Sequence, residues 1–146
     1  MDIIRAEQTR YNIHKTASEF QQNDDYESAE KVYRDALLSY PNNPGMILGL
    51  GGVLALQGKS EEAIELMERG LSLSTNEKQK ATTRAALCFL YLKCDKTEKA
   101  SALAASLPHT RESRELIQPL ISKGMSEDEI DKNIKTILLG DVNILW

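Results

Sequence analysis

The chain has 146 residues, a length that suits one domain and can bury a core without disulfides or metal. Its net charge of −4 argues against a general nucleic-acid or membrane-surface binder, which would carry a basic stripe, while 41% apolar and 27% charged residues read as soluble and globular. No stretch approaches the ~20 apolar residues of a membrane span, and MDIIRAEQTR has no apolar run behind a basic patch, so no signal peptide is expected.

Four prolines, eight glycines and long segments rich in Ala, Leu, Glu, Lys and Gln predict an all-α chain, because these residues lose little rotamer freedom in a helix. The first predicted helix is YNIHKTASEFQQN, with Ile13, Ala17 and Phe20 at helical spacing. The turn DDYESA (Asp24–Ala29) follows, then a helix with Ala29, Val32, Tyr33, Ala36 and Leu37 on one face. Pro41 and Pro44 close this pair and open the next.

The pattern then recurs. PGMILGLGGVLALQ carries Ile47, Leu50, Gly51 and Leu54. GKSEEA (Gly58–Ala63) makes the turn, and Ala63, Ile64, Met67, Gly70 and Leu71 stripe the following helix. After STNEKQK (Ser74–Lys80), read as a loop with three extra residues, ATTRAALCFLYLKC carries Leu87, Cys88 and Tyr91. DKTEKA (Asp95–Ala100) leads to a last stripe of Ala100, Leu103, Ala104 and Leu107. The alanines ending the three hexapeptides lie 34 and then 37 residues apart, a spacing that points to stacked helix pairs. Asn23-Asp24 and Gly58 suit left-handed or turn backbone. Ser60 and Thr97 are expected to cap the second helices, and the repeated alanine lets paired helices approach closely.

These segments resemble the tetratricopeptide repeat. The first copy supplies Ile13, Ala17, Phe20, Asp24, Tyr26, Ala29, Tyr33, Ala36 and Pro41. The second supplies Ile47, Leu50, Gly51, Leu54, Gly58, Ala63 and Met67, departing at Gly70, where Ala is usual, and lacking the closing Pro. The third supplies Leu87, Cys88, Tyr91, Asp95 and Ala100 before it decays. The resemblance implies a right-handed α-α superhelix of about three helix hairpins, over residues 10–43, 44–77 and 81–110, followed by C-terminal capping helices.

The tail predicts a helix over about 110–122 with Leu116, Ile117, Leu120 and Ile121 on its apolar face, ending at Lys123-Gly124. Ser126 and Glu129 form a capping box that opens a last helix, about 127–139, with Ile130, Ile134, Ile137 and Leu138 in register. These two helices are expected to cover the final apolar face of the solenoid.

A narrower resemblance rests on the order of YPNNP (Tyr40–Pro44), GKSEEAI (Gly58–Ile64), LCFLYL (Leu87–Leu92), LPHTRESRE (Leu107–Glu115) and EIDKNIKTIL (Glu129–Leu138). That order is similar to the C-terminal tetratricopeptide part of bacterial Xre-type helix-turn-helix regulators. It implies a cytoplasmic sensor or dimerisation domain. No DNA-binding domain is read in the chain, whose first repeat begins near residue 10, so both an excised domain and a free-standing adaptor remain open.

The sequence offers little chemistry. Cys88 and Cys94 have neither disulfide-framework nor zinc spacing and read as free thiols of a reducing compartment. His14 and His109 lie in different repeats without ligand-spaced partners other than Glu112, so no metal or cofactor is expected. Asp24-Asp25 and Glu61-Glu62 read as helix-start residues rather than acid/base pairs. The glycines of GLGGVLALQG lack the strand and Lys of a phosphate loop and are expected to serve close helix packing. No enzyme is expected.

What remains is a surface for a protein or peptide. The resemblance places the first helix of each pair on the concave face. The expected lining is Tyr11, His14, Ser18 and Gln21 from the first, Leu48, Gly52, Ala55 and Leu56 from the second, and Ala85, Phe89, Leu92 and Lys93 from the third. The positions that hold basic residues in chaperone-tail binders are here His14, Ser18, Leu48, Gly52, Ala85 and Phe89, so that clamp is absent. A groove with Tyr11, Leu48, Leu56, Phe89 and Leu92 suits an extended or helical apolar peptide, and the competing reading packs these residues against neighbouring helices. Arg111, Glu112, Arg114 and Glu115 read either as an exposed charged helix face or as bracing an inter-repeat or homodimer contact, and Trp146 as folding back over the last helix or meeting another subunit.

Overall fold

The computed structural model describes residues 2–106 and 126–139. Among these residues the chain forms seven helices and no strand: α1 (Asp2–Gln22), α2 (Tyr26–Ser39), α3 (Pro44–Leu56), α4 (Ser60–Leu73), α5 (Glu77–Lys93), α6 (Thr97–Ala105) and α7 (Glu127–Leu139). Each of α1 to α6 packs on the next, and α7 returns to pack mainly on α5, with further contacts to α3 and α1. The result is a superhelix of three helix pairs with a seventh helix laid across it. The expected helix from Thr110, its end at Lys123-Gly124, the Arg111–Glu115 charges, His109 and the Trp146 tail lie outside the described residues.

The three hexapeptides build three equivalent turns. Asp24, Gly58 and Asp95 occupy left-handed backbone at φ 59°, 81° and 59°. The following N–H groups of Asp25, Lys59 and Lys96 reach back to the carbonyls of Phe20, Leu54 and Tyr91 at 2.9, 2.9 and 2.7 Å. A second bond runs from the N–H of Asp24, Gly58 and Asp95 to Gln21, Ala55 and Leu92. Together these satisfy carbonyls that a helix end otherwise leaves open. Gly tolerates this backbone without cost, and Asp is among the few other residues that visit it.

The same chain position then starts the second helix. Asp25 caps α2, its Oδ1 accepting the Ser28 N–H at 3.2 Å. Lys59 and Lys96 hold the corresponding places for α4 and α6 with no side-chain cap bond. Ser60 and Thr97 are therefore first helical residues rather than the caps expected of them. A cap needs extended or turn backbone one position earlier, and that place is fixed by the returning bond of the preceding turn. Ala29, Ala63 and Ala100 each stand fourth in their helix and are wholly buried, as the close approach of paired helices requires.

Two helix starts differ from expectation. Helix α1 begins at Asp2 rather than near Tyr11. The three extra residues before the third pair lengthen a helix instead of a loop. Asn76 caps α5 by accepting the Gln79 N–H at 3.0 Å, so Glu77–Lys80 is already helical. Asn43 caps α3 in the same way, with Pro44 at its first turn.

The core centres on α3, where every residue from Gly45 to Ala55 is buried. Met46, Ile47, Leu48, Leu50, Val53 and Leu54 each contribute roughly 1.5–3 kcal/mol of transfer free energy on full burial. The glycines of this helix do serve close packing: a Cβ at Gly49 would stand 2.4 Å from the Tyr33 ring. Gly70 of α4, where the repeat usually has Ala, leaves the space filled by Leu48.

Polar contacts register the pairs at the surface. Glu30 on α2 binds Arg34 at 2.8 Å, Lys59 at 3.2 Å and the Gln57 amide at 2.7 Å, tying the first pair to the second turn. The Arg34 guanidinium, with Gln57 next, holds the Glu30 carboxyl well below its usual range, at about 2. Arg69 of α4 donates to Pro41 O at 3.1 Å and Asn42 Oδ1 at 3.0 Å. Lys96 meets Glu61 at 3.2 Å between the second and third turns.

Candidate functional site

Helix α7 defines the inner face by occupying it. Glu129 N–H donates to Ser126 Oγ at 3.2 Å at the helix start, as the capping-box pattern predicts. Ile130 and Ile134 are buried, and Ile137 and Leu138 pack against the same core. Of the two helices expected to cover the last face of the solenoid, α7 is the one described; it packs mainly on α5 of the last pair and turns its apolar stripe to the first helices of the pairs. An amphipathic helix buries its stripe wherever complementary apolar surface lies, and here that surface includes the small residues Gly52 and Ala55 of α3.

The contacts fix the direction of α7. Near its start Asp131 pairs with Lys93 at the end of α5, 2.5 Å apart. One turn on, Lys135 lies 3.8 Å from Asp24 in the first turn. Leu138 covers Gly52, with Cδ2 standing 3.5 Å from where a Cβ would be. The Gln22 amide of α1 reaches the Leu139 carbonyl at 3.5 Å. The helix therefore runs from the third pair to the first. A cleft of about 490 Å³ opens beside it, bounded by Asp24, Tyr26, Leu56 and Gly58 on the turns and by Ile134 and Lys135 on α7.

The twelve residues expected to line this face separate into groups. Gly52 and Lys93 meet α7 directly, and Ala55, Leu56 and Lys93 border the cleft shared with it. Tyr11, Ser18 and Leu92 are half-buried, and Gln21 is buried. His14, Leu48 and Phe89 are not surface residues at all, each being at most 2% exposed. Leu48 fills the gap at Gly70, and His14 bonds Tyr33 of α2. Ala85 points away from the inner face, packing with Cys88, Leu103 and Ala104 on the α5–α6 side. Helical spacing identifies which residues share a stripe, but not which of two adjacent stripes faces a neighbouring helix.

The expected set lacks Asp24, which pairs with Lys135, and Gln22, which reaches the C-terminal end of α7 at Leu139. The sequence reads Asp24 as a turn and helix-start residue. Its carboxylate also accepts from the Tyr26 hydroxyl at 3.0 Å. No local signal marks a turn aspartate as the partner of a lysine more than a hundred residues away.

The titratable groups most perturbed here are structural. His14 Nδ1 lies 2.9 Å from Tyr33 Oη, its Nε2 is buried without a partner, and burial pushes its pKa down to about 4. Burial pushes the Cys88 thiol up to about 11, which leaves it a poor nucleophile. Tyr91 donates to Glu68 at 2.7 Å, joining α5 to α4. Among the described residues no group of three or more His, Cys, Asp or Glu side chains stands together as a metal site. Nor is any described helix long and apolar enough to cross a membrane.

Comparison with known proteins agrees with this geometry. Residues 20–79, from the end of α1 to the start of α5, match the tetratricopeptide repeat family model. That stretch holds the first two turns and the whole of α2, α3 and α4, so the fold is that of a tetratricopeptide-like helix-pair superhelix. Such repeats generally mediate protein–protein interaction and are typically non-catalytic. No curated protein matches the chain.

Proposed function

We propose that this protein is a non-catalytic protein-interaction module that binds a protein or peptide through its inner face. The observation that carries the reading is the seating of α7: the face made by α1, α3 and α5 already receives a helix, with an apolar floor and a charged residue at either end. Selection of peptides from a displayed library tests it. Binders are expected to lose affinity when Leu56→Asp or Lys93→Glu alters the cleft. Binders indifferent to both variants, or none after exhaustive selection, refute it.

The finer role we propose is that of a cytoplasmic sensor or dimerisation domain of an Xre-type bacterial regulator, in which a ligand biases subunit arrangement and this domain touches no DNA. The order of the five segments from YPNNP to EIDKNIKTIL supports it. Light scattering across a concentration range tests homodimer formation, and an in-frame helix-turn-helix segment upstream tests the attachment. A strict monomer with no such segment favours the alternative, a stand-alone adaptor.

A further inference from the structure

We infer that α7 is a displaceable internal ligand of the inner face, and that its pattern states what the face accepts. The partner is an amphipathic helix with large aliphatic residues at i, i+4 and i+8, an acidic residue at i+1 and a basic residue at i+5. In α7 these are Ile130, Ile134 and Leu138, with Asp131 and Lys135. The inference rests on the interaction-module reading and adds the partner's chemistry and its competitor.

Three observations carry it. The six helices of the three pairs have a continuous core of their own, to which α7 adds only Ile130 and Ile134 as buried residues. In α3, by contrast, eleven consecutive residues are buried. A helix attached by two buried side chains and a flanking stripe has the low local stability of elements that open before the rest.

The floor beneath α7 also fits a helix closely. At Gly52 a Cβ would stand in ordinary van der Waals contact with Leu138, so alanine fits there and only a longer side chain would press on a docked helix. Finally, the two ion pairs set direction and register. Lys93–Asp131 and Lys135–Asp24 place a basic residue of the face at the helix start and an acidic one a turn later. Both pairs are partly or largely exposed and so contribute little to holding α7 down. They discriminate against a helix of reversed charge order more than they stabilise this one.

A partner helix would have to displace α7, so its apparent affinity falls by the fraction of molecules in which the face is open. If α7 is seated in nine molecules of ten or more, the reduction is about tenfold or greater. The groove would thus be closed by default and opened by a segment that matches the rule better than α7 does, or by whatever withdraws α7.

The test uses the full chain and a fluorescent synthetic peptide of residues 126–139, read by anisotropy. The Ile134→Asp chain, whose α7 cannot seat, is expected to bind the peptide about tenfold or more tightly than the unaltered chain. Adding Lys93→Glu to that chain should abolish the gain, and a peptide carrying Asp131→Lys should restore it. Should Ile134→Asp fail to fold by circular dichroism, the Asp131→Lys chain retains every apolar contact and is expected to gain severalfold. Folded variants that bind no better than the unaltered chain overturn the inference, as does binding indifferent to the charge exchange. Neither result touches partners selected on the unaltered protein, so the interaction-module reading would stand or fall separately. A monomeric mass supports an internal occupant. A dimer dissociated by the peptide overturns it in favour of α7 exchanged between two copies.

Discussion

Lowering the pH from 7 to 4.5 should destabilise this protein through one residue, His14. In the folded chain the imidazole is wholly buried and its pKa is about 4, against an ordinary 6.5. As pH falls through 6.5 the unfolded chain takes up a proton that the folded chain refuses until about 4. Stability is therefore fully present above 6.5, is lost progressively down to 4, and changes no further through this group below that. The fall from 6.5 to about 4 corresponds to about 3 kcal/mol, most of it lost by pH 4.5. That is a large part of the roughly 5–15 kcal/mol expected of a domain. Glu30 is depressed in the same sense and acts in a lower window. Its stabilisation is present above its ordinary 4.5 and is lost as pH falls towards 2, so measurements above 4.5 largely exclude it. The assay is urea unfolding at several pH values between 7 and 4.5. The control is a His14→Phe, Tyr33→Phe double variant, which removes the 2.9 Å hydrogen bond and the orphaned Nε2 together. Its stability at pH 7 should lie within about 1 kcal/mol of the parent, since replacing both partners of a buried bond is nearly neutral. The acid-dependent loss should vanish. An equal fall in parent and double variant, or no fall in the parent, would refute the argument.

Other substitutions test the turns and the core. Gly49→Ala places a Cβ 2.4 Å from the Tyr33 ring and should cost about 1–3 kcal/mol in a thermal melt. Gly58→Ala has open space but left-handed backbone, so it should cost roughly 1–2 kcal/mol. Gly58→Asp should cost less, because Asp24 and Asp95 already adopt that backbone in the sister turns. Asp25→Ala removes a working cap and should cost about 1 kcal/mol. Ser60→Ala, by contrast, deletes a buried hydroxyl without a partner and should be neutral or slightly stabilising by chemical denaturation.

Much of this architecture was legible in 146 letters because its signals are local. Left-handed backbone, the returning carbonyl bonds and the small alanine of each hexapeptide involve residues within one or two helical turns of each other, so DDYESA, GKSEEA and DKTEKA suffice to place the three hairpins. The last helix was equally plain from Ser126, Glu129 and its isoleucines. What only tertiary structure decided was where that helix lies, and which members of the expected inner face are open. His14, Leu48 and Phe89 belong to the core, whereas Lys93 and Asp24 pair with Asp131 and Lys135 on successive turns of α7. The physical reason is that a periodic stripe records only that a helix has a greasy side. Which partner covers that side depends on shape and charge brought together from distant parts of the chain, as Gly52 meets Leu138 and Asp24 meets Lys135.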